Sequence, residues 1–191
     1  MKTNQRSRQV AIVAILIALA TIIQYFSTVL YGLFPLPIKP TLMPIVVILA
    51  SVCYGPKIGA ILGTYMGLYS VVYNTVVYNV AASFLFSPFV PNGNLFSFLI
   101  ALVPRILIGV VPYYIYKLWQ TKGGLFLAGA MGALTNTVFV LSGIFIFFQT
   151  VYQGDVMALL GAVFASNSII ELLVYAFVTM LVAPRVLKAT K

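Results

Sequence analysis

The feature that most constrains this chain is the stretch 95–116, LFSFLIALVPRILIGVVPYYIY. A helix needs about 20 apolar residues to cross the hydrocarbon core of a bilayer, and this stretch is long enough. It nevertheless carries Pro104 and Arg105 near its middle. A guanidinium at that depth costs several kcal/mol and needs a partner. The sequence therefore indicates a membrane-spanning segment built around a site to which Arg105 contributes.

The composition of the whole chain supports a membrane location. Of its 191 residues 62% are hydrophobic and only 7% are charged, whereas about a quarter of the residues of a soluble domain are charged. The short alternating segments of a membrane β-barrel are absent. We therefore expect an all-α integral membrane protein, with residues 1–191 forming one domain and room for about six spans.

Several kinds of chemistry are excluded by the residues that the chain lacks. It has one cysteine, Cys53, and no histidine, so zinc, iron–sulfur and histidine-base chemistry are not expected. It has no Gly-rich phosphate loop followed by Lys-Ser/Thr, and hence no ATPase signature. Its acidic residues, Asp155 and Glu171, are not placed as a pair. We expect no enzymatic activity, no metal and no cofactor.

Six apolar segments follow one another along the chain. The N-terminal one is too long for a signal peptide and lacks a convincing cleavage site, so we expect a retained first span. A proline-rich connection, FPLPIKPTLMP, precedes the second span, and a longer apolar connection over 80–94 precedes the fourth. The predicted spans are 9–30, 42–54, 58–78, 95–116, 125–148 and 156–182.

The basic residues predict the orientation of these spans. With both termini in the cytoplasm, Lys39 is the basic residue of the outer loops and Arg105 lies in the membrane. The other nine of the eleven basic residues are then cytoplasmic, as the positive-inside rule requires. The net charge of +9 thus needs no nucleic-acid partner. The 80–94 connection becomes extracellular, where an apolar loop is expected to cover the bundle.

Three polar residues of different spans are predicted to share one depth. Arg105, Asn136 and Glu171 each lie twelve to fourteen residues from the basic residue at the inner end of their span, a rise of about 18–21 Å. Asn167 lies one turn before Glu171 on the same helix face. Two interpretations follow: a structural ion pair between Arg105 and Glu171, or a pocket for a small polar ligand, which we favour.

In the pocket interpretation each residue has a chemical role. Arg105 binds a carboxylate or stacks on a ring, and Asn136 and Asn167 offer a donor and an acceptor each. Glu171 accepts hydroxyl or amide protons. A row of tyrosines at four-residue spacing, which includes Tyr69, either lines the pocket or packs between helices.

Small residues mark two helix faces. Ala11, Ala14 and Ala18 share a face of the first span, and such faces allow another helix to approach closely in lipid. This face either packs within the protein or binds a partner. The glycine repeat at every fourth position over 59–67 predicts a close helix neighbour for the third span.

Taken together, these segments resemble the substrate-binding S component of an energy-coupling factor (ECF) vitamin transporter. The resemblance covers essentially the whole chain. It rests on the six-span plan, the alanine-rich first helix, YGPKIGAILG, NGNLFSFLIALVPRILIGVVPYYIYK, GALTNTVF and NSIIE. Each motif is weak alone, whereas their combination in this order is fairly specific.

The resemblance implies high-affinity binding of a vitamin from outside the plasma membrane of a bacterium. It further implies docking, through Ala14 and Ala18, on a transmembrane T component that two cytoplasmic ATPases drive. It places the ligand among the outer halves of spans four to six, under the first and third loops. Lys39 and Asn94 of those loops and Tyr69 complete the predicted substrate site.

The pattern is most similar to the pantothenate-specific members, whose ligand offers a carboxylate, an amide and hydroxyls. Members specific for folate, hydroxymethylpyrimidine, pyridoxine and riboflavin remain alternatives. A standalone secondary carrier, with Glu171 as the coupling carboxylate, is a further alternative, although no inverted repeat supports it. The last alternative is a structural membrane protein in which Arg105 and Glu171 only fix the packing.

Overall fold

The computed structural model describes residues 2–33, 41–77, 83–148 and 155–189, and of residues 2–5, 31–32 and 155–167 it describes only the backbone. All regular structure in these ranges is helical. Seven α-helices and one short 3-10 helix follow in the order α1 (Lys2–Leu33), α2 (Met43–Tyr54), α3 (Pro56–Val76), the 3-10 helix (Ser83–Leu85), α4 (Leu95–Ile108), α5 (Val111–Leu118), α6 (Lys122–Phe147) and α7 (Asp155–Ala189).

Within the described ranges, four segments are long and apolar enough to cross a membrane: Arg6–Leu30, Leu95–Leu118, Lys122–Phe147 and Ser168–Ala189. The chain is therefore a multi-pass membrane protein. The second predicted span, α2, is apolar but only 12 residues long, which corresponds to about 18 Å of helix. The third predicted span, α3, is less hydrophobic than these four segments because it contains glycines, tyrosines and an asparagine. Length and composition thus support four of the six predicted spans.

The predicted fourth span consists of two helices. The depth estimate for Arg105 assumed one continuous helix, but α4 ends at Ile108 and α5 begins at Val111. Pro112, in the first turn of α5, explains the break. It has no N–H, and its ring would clash with the carbonyl group four residues earlier, at Ile108.

The glycine repeat of α3 packs against α4. A side chain at Gly59 would overlap the carbonyl group of Gly109, and one at Gly63 would overlap that of Arg105. A side chain at Gly67 would come within 2.9 Å of the carbonyl oxygen of Ala101. The close neighbour that the repeat predicts is therefore α4, and the contact holds the backbone of Arg105 against α3.

The core of the bundle forms around α2, with α3 and α7 beside it. Val47, Ile48, Leu62 and Tyr175 have no exposed surface. A second cluster lies under the segment that follows α3. Its members are Phe84, Leu85, Val90, Ile100, Val140, Ile144 and Phe148. The described part of the predicted covering loop, residues 83–94, is therefore packed onto α4 and α6.

The first helix is the least buried of the four candidate spans. Only 11% of its span window is buried, against 28–44% for the other three. Large apolar side chains cover its outer face, among them Ile15 and Ile22, which are 67% and 64% exposed. This face is available to lipid or to a partner.

Candidate functional site

A cavity of about 310 Å³ lies between α1, α2, α3, α4, α6 and α7. Four of the predicted substrate-binding residues line it, namely Tyr69, Arg105, Asn136 and Glu171. The shared depth inferred from the sequence therefore corresponds to one common space, although the binding role of these residues stays a prediction. The remaining lining residues are Gln24, Thr41, Met43, Met66, Ser70, Tyr73, Asn74, Phe86, Thr137, Val140 and Ser168.

Arg105 is 9% exposed, and two described residues hold its guanidinium, Ile100 and Phe86. Its Nη1 donates a hydrogen bond of 2.7 Å to the carbonyl oxygen of Ile100, one turn earlier on α4. Its Cζ lies 5.0 Å from the centre of the Phe86 ring, a cation–π distance. Its Nε is buried and has no hydrogen-bond partner among the described residues. Ile100 and Phe86 therefore hold the guanidinium in place, while its Nε–H donor is not used by any described residue.

Glu171 is 7% exposed and connects α7 to the residues before α2. Its Oε1 accepts a hydrogen bond from the backbone N–H of Thr41 at 2.8 Å and another from the Thr41 hydroxyl at 2.7 Å. Tyr175, one turn later on α7, donates from its hydroxyl to the Thr41 carbonyl oxygen at 2.5 Å. The carboxylate therefore fixes the chain where it enters α2.

Within the part of the chain that the structure describes, Arg105 and Glu171 form no direct ion pair. Each is engaged separately, Arg105 by Ile100 and Phe86 and Glu171 by Thr41. The structural ion pair considered from the sequence is therefore not observed. Both charges face the same cavity, so a polar ligand can contact both.

Asn136 supplies a second unused polar atom. Its Oδ1 is buried and has no hydrogen-bond partner among the described residues. The next residue, Thr137, is engaged differently: its hydroxyl lies 2.8 Å from the Ser168 hydroxyl on α7. An unpaired buried acceptor costs about 1–3 kcal/mol, so the cavity is suited to a ligand that carries an N–H or O–H group.

The tyrosine row divides between two roles. Tyr69 and Tyr73 line the cavity, with ring centres 6.3 Å apart and ring planes 15° apart. Tyr65 is directed to α1 instead, where its hydroxyl lies 2.6 Å from that of Thr21. The two interpretations of the row, cavity lining and interhelical packing, thus apply to different members.

Several residues of the cavity lining were not predicted from the sequence. Met66, Ser70 and Asn74 share the helix face of Tyr69, so the three- and four-residue spacing was a usable signal. Thr41 and Phe86 lie outside the long helices, and periodicity could not have identified them.

Other predicted site residues lie elsewhere or outside the description. Asn94 is absent from the cavity lining, and its Oδ1 accepts hydrogen bonds from the N–H groups of Phe96 and Ser97 as the N-cap of α4. Lys39 lies outside the described residues, as does the side chain of Asn167. Their predicted roles are untested.

The predicted partner residues Ala11, Ala14 and Ala18 are all exposed on α1. Ala14 also lines an apolar groove between α1 and the start of α3, bordered by the basic residues Arg6 and Lys57. Among the described helices, this face thus remains uncovered, so the internal-packing interpretation does not account for it.

Comparison with known proteins identifies the family. The family model described as "ECF transporter, substrate-specific component" matches residues 8–183. The chain belongs to this family. It is also 40% identical over 194 residues to the "Pantothenic acid transporter PanT" of Lactococcus lactis subsp. cremoris (strain MG1363), over 99% of this chain and 98% of the relative. The resemblance to ECF S components inferred from the motifs is thereby confirmed, and the family is one of transport components.

Proposed function

We propose that this chain is the pantothenate-binding subunit of an ECF uptake transporter. The observation that carries the proposal is that Arg105 and Asn136 line one cavity, and that each has a buried side-chain atom, Nε and Oδ1, without a hydrogen-bond partner among the described residues. A ligand that pairs with both side chains presents an acceptor to the guanidinium and a polar hydrogen to the amide oxygen. The 40% identity to a pantothenic acid transporter supports the choice of ligand.

Pantothenate matches the chemistry of the cavity. Its carboxylate complements the guanidinium of Arg105, and a charge-assisted hydrogen bond of this kind is stronger than a neutral one. Its amide N–H or a hydroxyl group suits Asn136 Oδ1, and Glu171 accepts a further hydroxyl proton. The cavity volume of about 310 Å³ is at the lower end of the range for small-molecule sites, which fits a ligand without a large ring system.

We infer that the chain crosses the bacterial plasma membrane six times, with both termini in the cytoplasm. The distribution of lysine and arginine supports this orientation. In it, α2 and α3 lie within the bundle with the longer spans, and the cavity opens to the outside under residues 83–94. The burial of α2 among the other helices is consistent with an inner position.

We further propose that uptake is driven by ATP through a T component and two cytoplasmic ATPases. The T component would bind the exposed α1 face that contains Ala11, Ala14 and Ala18. The absence of an ATPase motif in the sequence supports a requirement for such partners. In a standalone carrier, by contrast, Glu171 would couple transport to an ion gradient.

Calorimetric titration of the purified chain tests the ligand. Pantothenate is expected to bind more tightly than folate, hydroxymethylpyrimidine, pyridoxine and riboflavin by at least about 100-fold, or about 2.7 kcal/mol. Mass spectrometry of small molecules that co-purify with the protein provides an independent check. Tight binding of another vitamin, with none of pantothenate, would overturn the assignment.

Transport in liposomes tests the coupling. Uptake of labelled pantothenate should require the T component, both ATPases and internal ATP. Uptake by the chain alone that follows a proton or sodium gradient would instead establish the carrier alternative.

A further inference from the structure

Pro104 and Arg105 are adjacent in the sequence, and both act on the same backbone atom. In a regular α-helix the N–H of residue 104 would donate to the carbonyl oxygen of Ile100. Pro104 lies inside α4 and has no N–H, and a proline ring is crowded against the carbonyl group four residues earlier, which here is that of Ile100. The hydrogen bond that the carbonyl loses is replaced by one from Nη1 of Arg105, at 2.7 Å.

Replacing the backbone donor to the Ile100 carbonyl by Nη1 of Arg105 is energetically favourable. Ile100 is 3% exposed, so a carbonyl group left without a donor there would be expensive. The guanidinium of Arg105, also buried, needs acceptors for its five N–H donors. The proline therefore creates an acceptor at the place where a buried arginine can use it.

The second contact of the guanidinium completes its support. The Phe86 ring lies 5.0 Å from Arg105 Cζ, and α3 packs directly on the Arg105 backbone through Gly63. Three parts of Arg105 are thereby fixed by contacts inside the protein. Gly63 packs on its backbone, Ile100 accepts from Nη1, and the Phe86 ring packs on the guanidinium. Nε is buried and has no hydrogen-bond partner in the part of the chain that the structure describes.

We propose that Pro104 is a positioning residue for Arg105, because it frees the Ile100 carbonyl oxygen to hold the guanidinium in the orientation that binds an anionic ligand group. The ligand part of this inference rests on the proposed function. The coupling between Pro104 and Arg105 does not, and it can be measured without any ligand.

A double-mutant cycle on the thermal stability of the ligand-free, detergent-solubilised chain tests that coupling. Arg105→Met in the wild-type background removes the Nη1 donor to the Ile100 carbonyl oxygen. In the Pro104→Ala background, the restored N–H of residue 104 replaces that donor. The drop in melting temperature caused by Arg105→Met should therefore be smaller in the Pro104→Ala background, by about 2–4 °C.

Pro184 provides a matched control, since it also lies inside a long helix, α7, but does not line the cavity. Arg105→Met should have the same effect with and without Pro184→Ala, because distant sites are additive. Additivity of Pro104→Ala with Arg105→Met would overturn the proposal.

A ligand comparison tests the consequence for binding. Pantothenol carries a hydroxymethyl group in place of the carboxylate of pantothenate, so the ratio of the two affinities reports on the arginine. Pro104→Ala should lower this ratio by about tenfold, or about 1.4 kcal/mol, whereas Pro184→Ala should leave it unchanged. An unchanged ratio in Pro104→Ala, with pantothenate still bound by the wild type, would refute the positioning role. If the wild type binds no pantothenate, the proposed function fails, and the stability cycle alone decides the role of Pro104.

Discussion

Glu171 and Thr41, which are 130 positions apart in the sequence, are joined by two hydrogen bonds to a single carboxylate oxygen. The acceptor, Oε1 of Glu171, lies on α7, and both donors belong to the residue that leads into α2. Glu171 therefore stabilises the packing of α7 against the start of α2, and it also lines the cavity. Loss of Glu171 should therefore affect both the stability of the bundle and the binding of a ligand.

Thr41→Val should destabilise the chain by about 1 kcal/mol, because it removes the hydroxyl donor to Glu171 while the backbone N–H of residue 41 still donates to it. Thermal melting in detergent measures the change. Thr28→Val is the matched control, since the Thr28 hydroxyl donates only within α1, to the Gln24 carbonyl oxygen. The control should change the stability by less than about 0.5 kcal/mol. Equal effects of the two variants would show that the bond to Glu171 contributes nothing.

Arg105→Ala should weaken pantothenate binding by about 10–100-fold, because a hydrogen bond to a charged group contributes about 1.5–3 kcal/mol. Arg105→Lys should recover only part of this loss, since an ammonium group cannot reproduce the planar fork of donors. Calorimetric titration gives both values. Arg185→Ala, at an exposed position of α7, serves as the charge-matched control. Retention of full affinity in Arg105→Ala would remove the arginine from the site.

Asn136→Leu should have opposite effects on binding and stability. It removes an acceptor that the described residues leave unpaired, so the ligand-free protein should melt at the same temperature or higher. Pantothenate affinity should fall by about tenfold or more. Both quantities can be measured on one preparation.

The neighbouring variant Thr137→Val provides the contrast, because the Thr137 hydroxyl already pairs with Ser168. It should lower the melting temperature. Clear destabilisation by Asn136→Leu would mean that the amide of Asn136 is a structural group and not a ligand contact.

Ala18→Trp should block assembly with the T component and the ATPases while leaving pantothenate affinity within about twofold. Co-purification from cells that express all subunits measures assembly. Leu19→Trp is the control, because residue 19 is also exposed and lies about 100° further around α1. Wild-type yields of the complex with Ala18→Trp would exclude this face as the docking surface.

Much of the site could be predicted because, in a straight membrane-spanning helix, the number of residues from the end of the helix gives the depth in the membrane. Arg105, Asn136 and Glu171 were placed in one layer by counting from basic residues, and they line one cavity. The break between α4 and α5 did not upset the depth predicted for Arg105. Only Gly109 and Val110 separate the two helices, and both helices belong to one candidate span, Leu95–Leu118.

The partners of the charges were harder to predict. Thr41 reaches Glu171 through the fold of the chain before α2, which no local pattern encodes. The Ile100 carbonyl could have been predicted as a partner, since a proline in a helix frees the carbonyl group four residues earlier. Opposite charge instead favoured Glu171 as the partner of Arg105. The break after α4 was likewise signalled by Pro112.

The glycine contacts between α3 and α4 have a mechanical consequence. Backbone lies directly on backbone at Gly59, Gly63 and Gly67, so there are no intervening side chains that could change rotamer and let one helix slide over the other. We therefore expect α3 and α4 to move together, so that Arg105 and Tyr69 keep their spacing. Any widening of the cavity to admit a ligand is then expected along its other walls, which α1, α2, α6, α7 and the segment around Phe86 form.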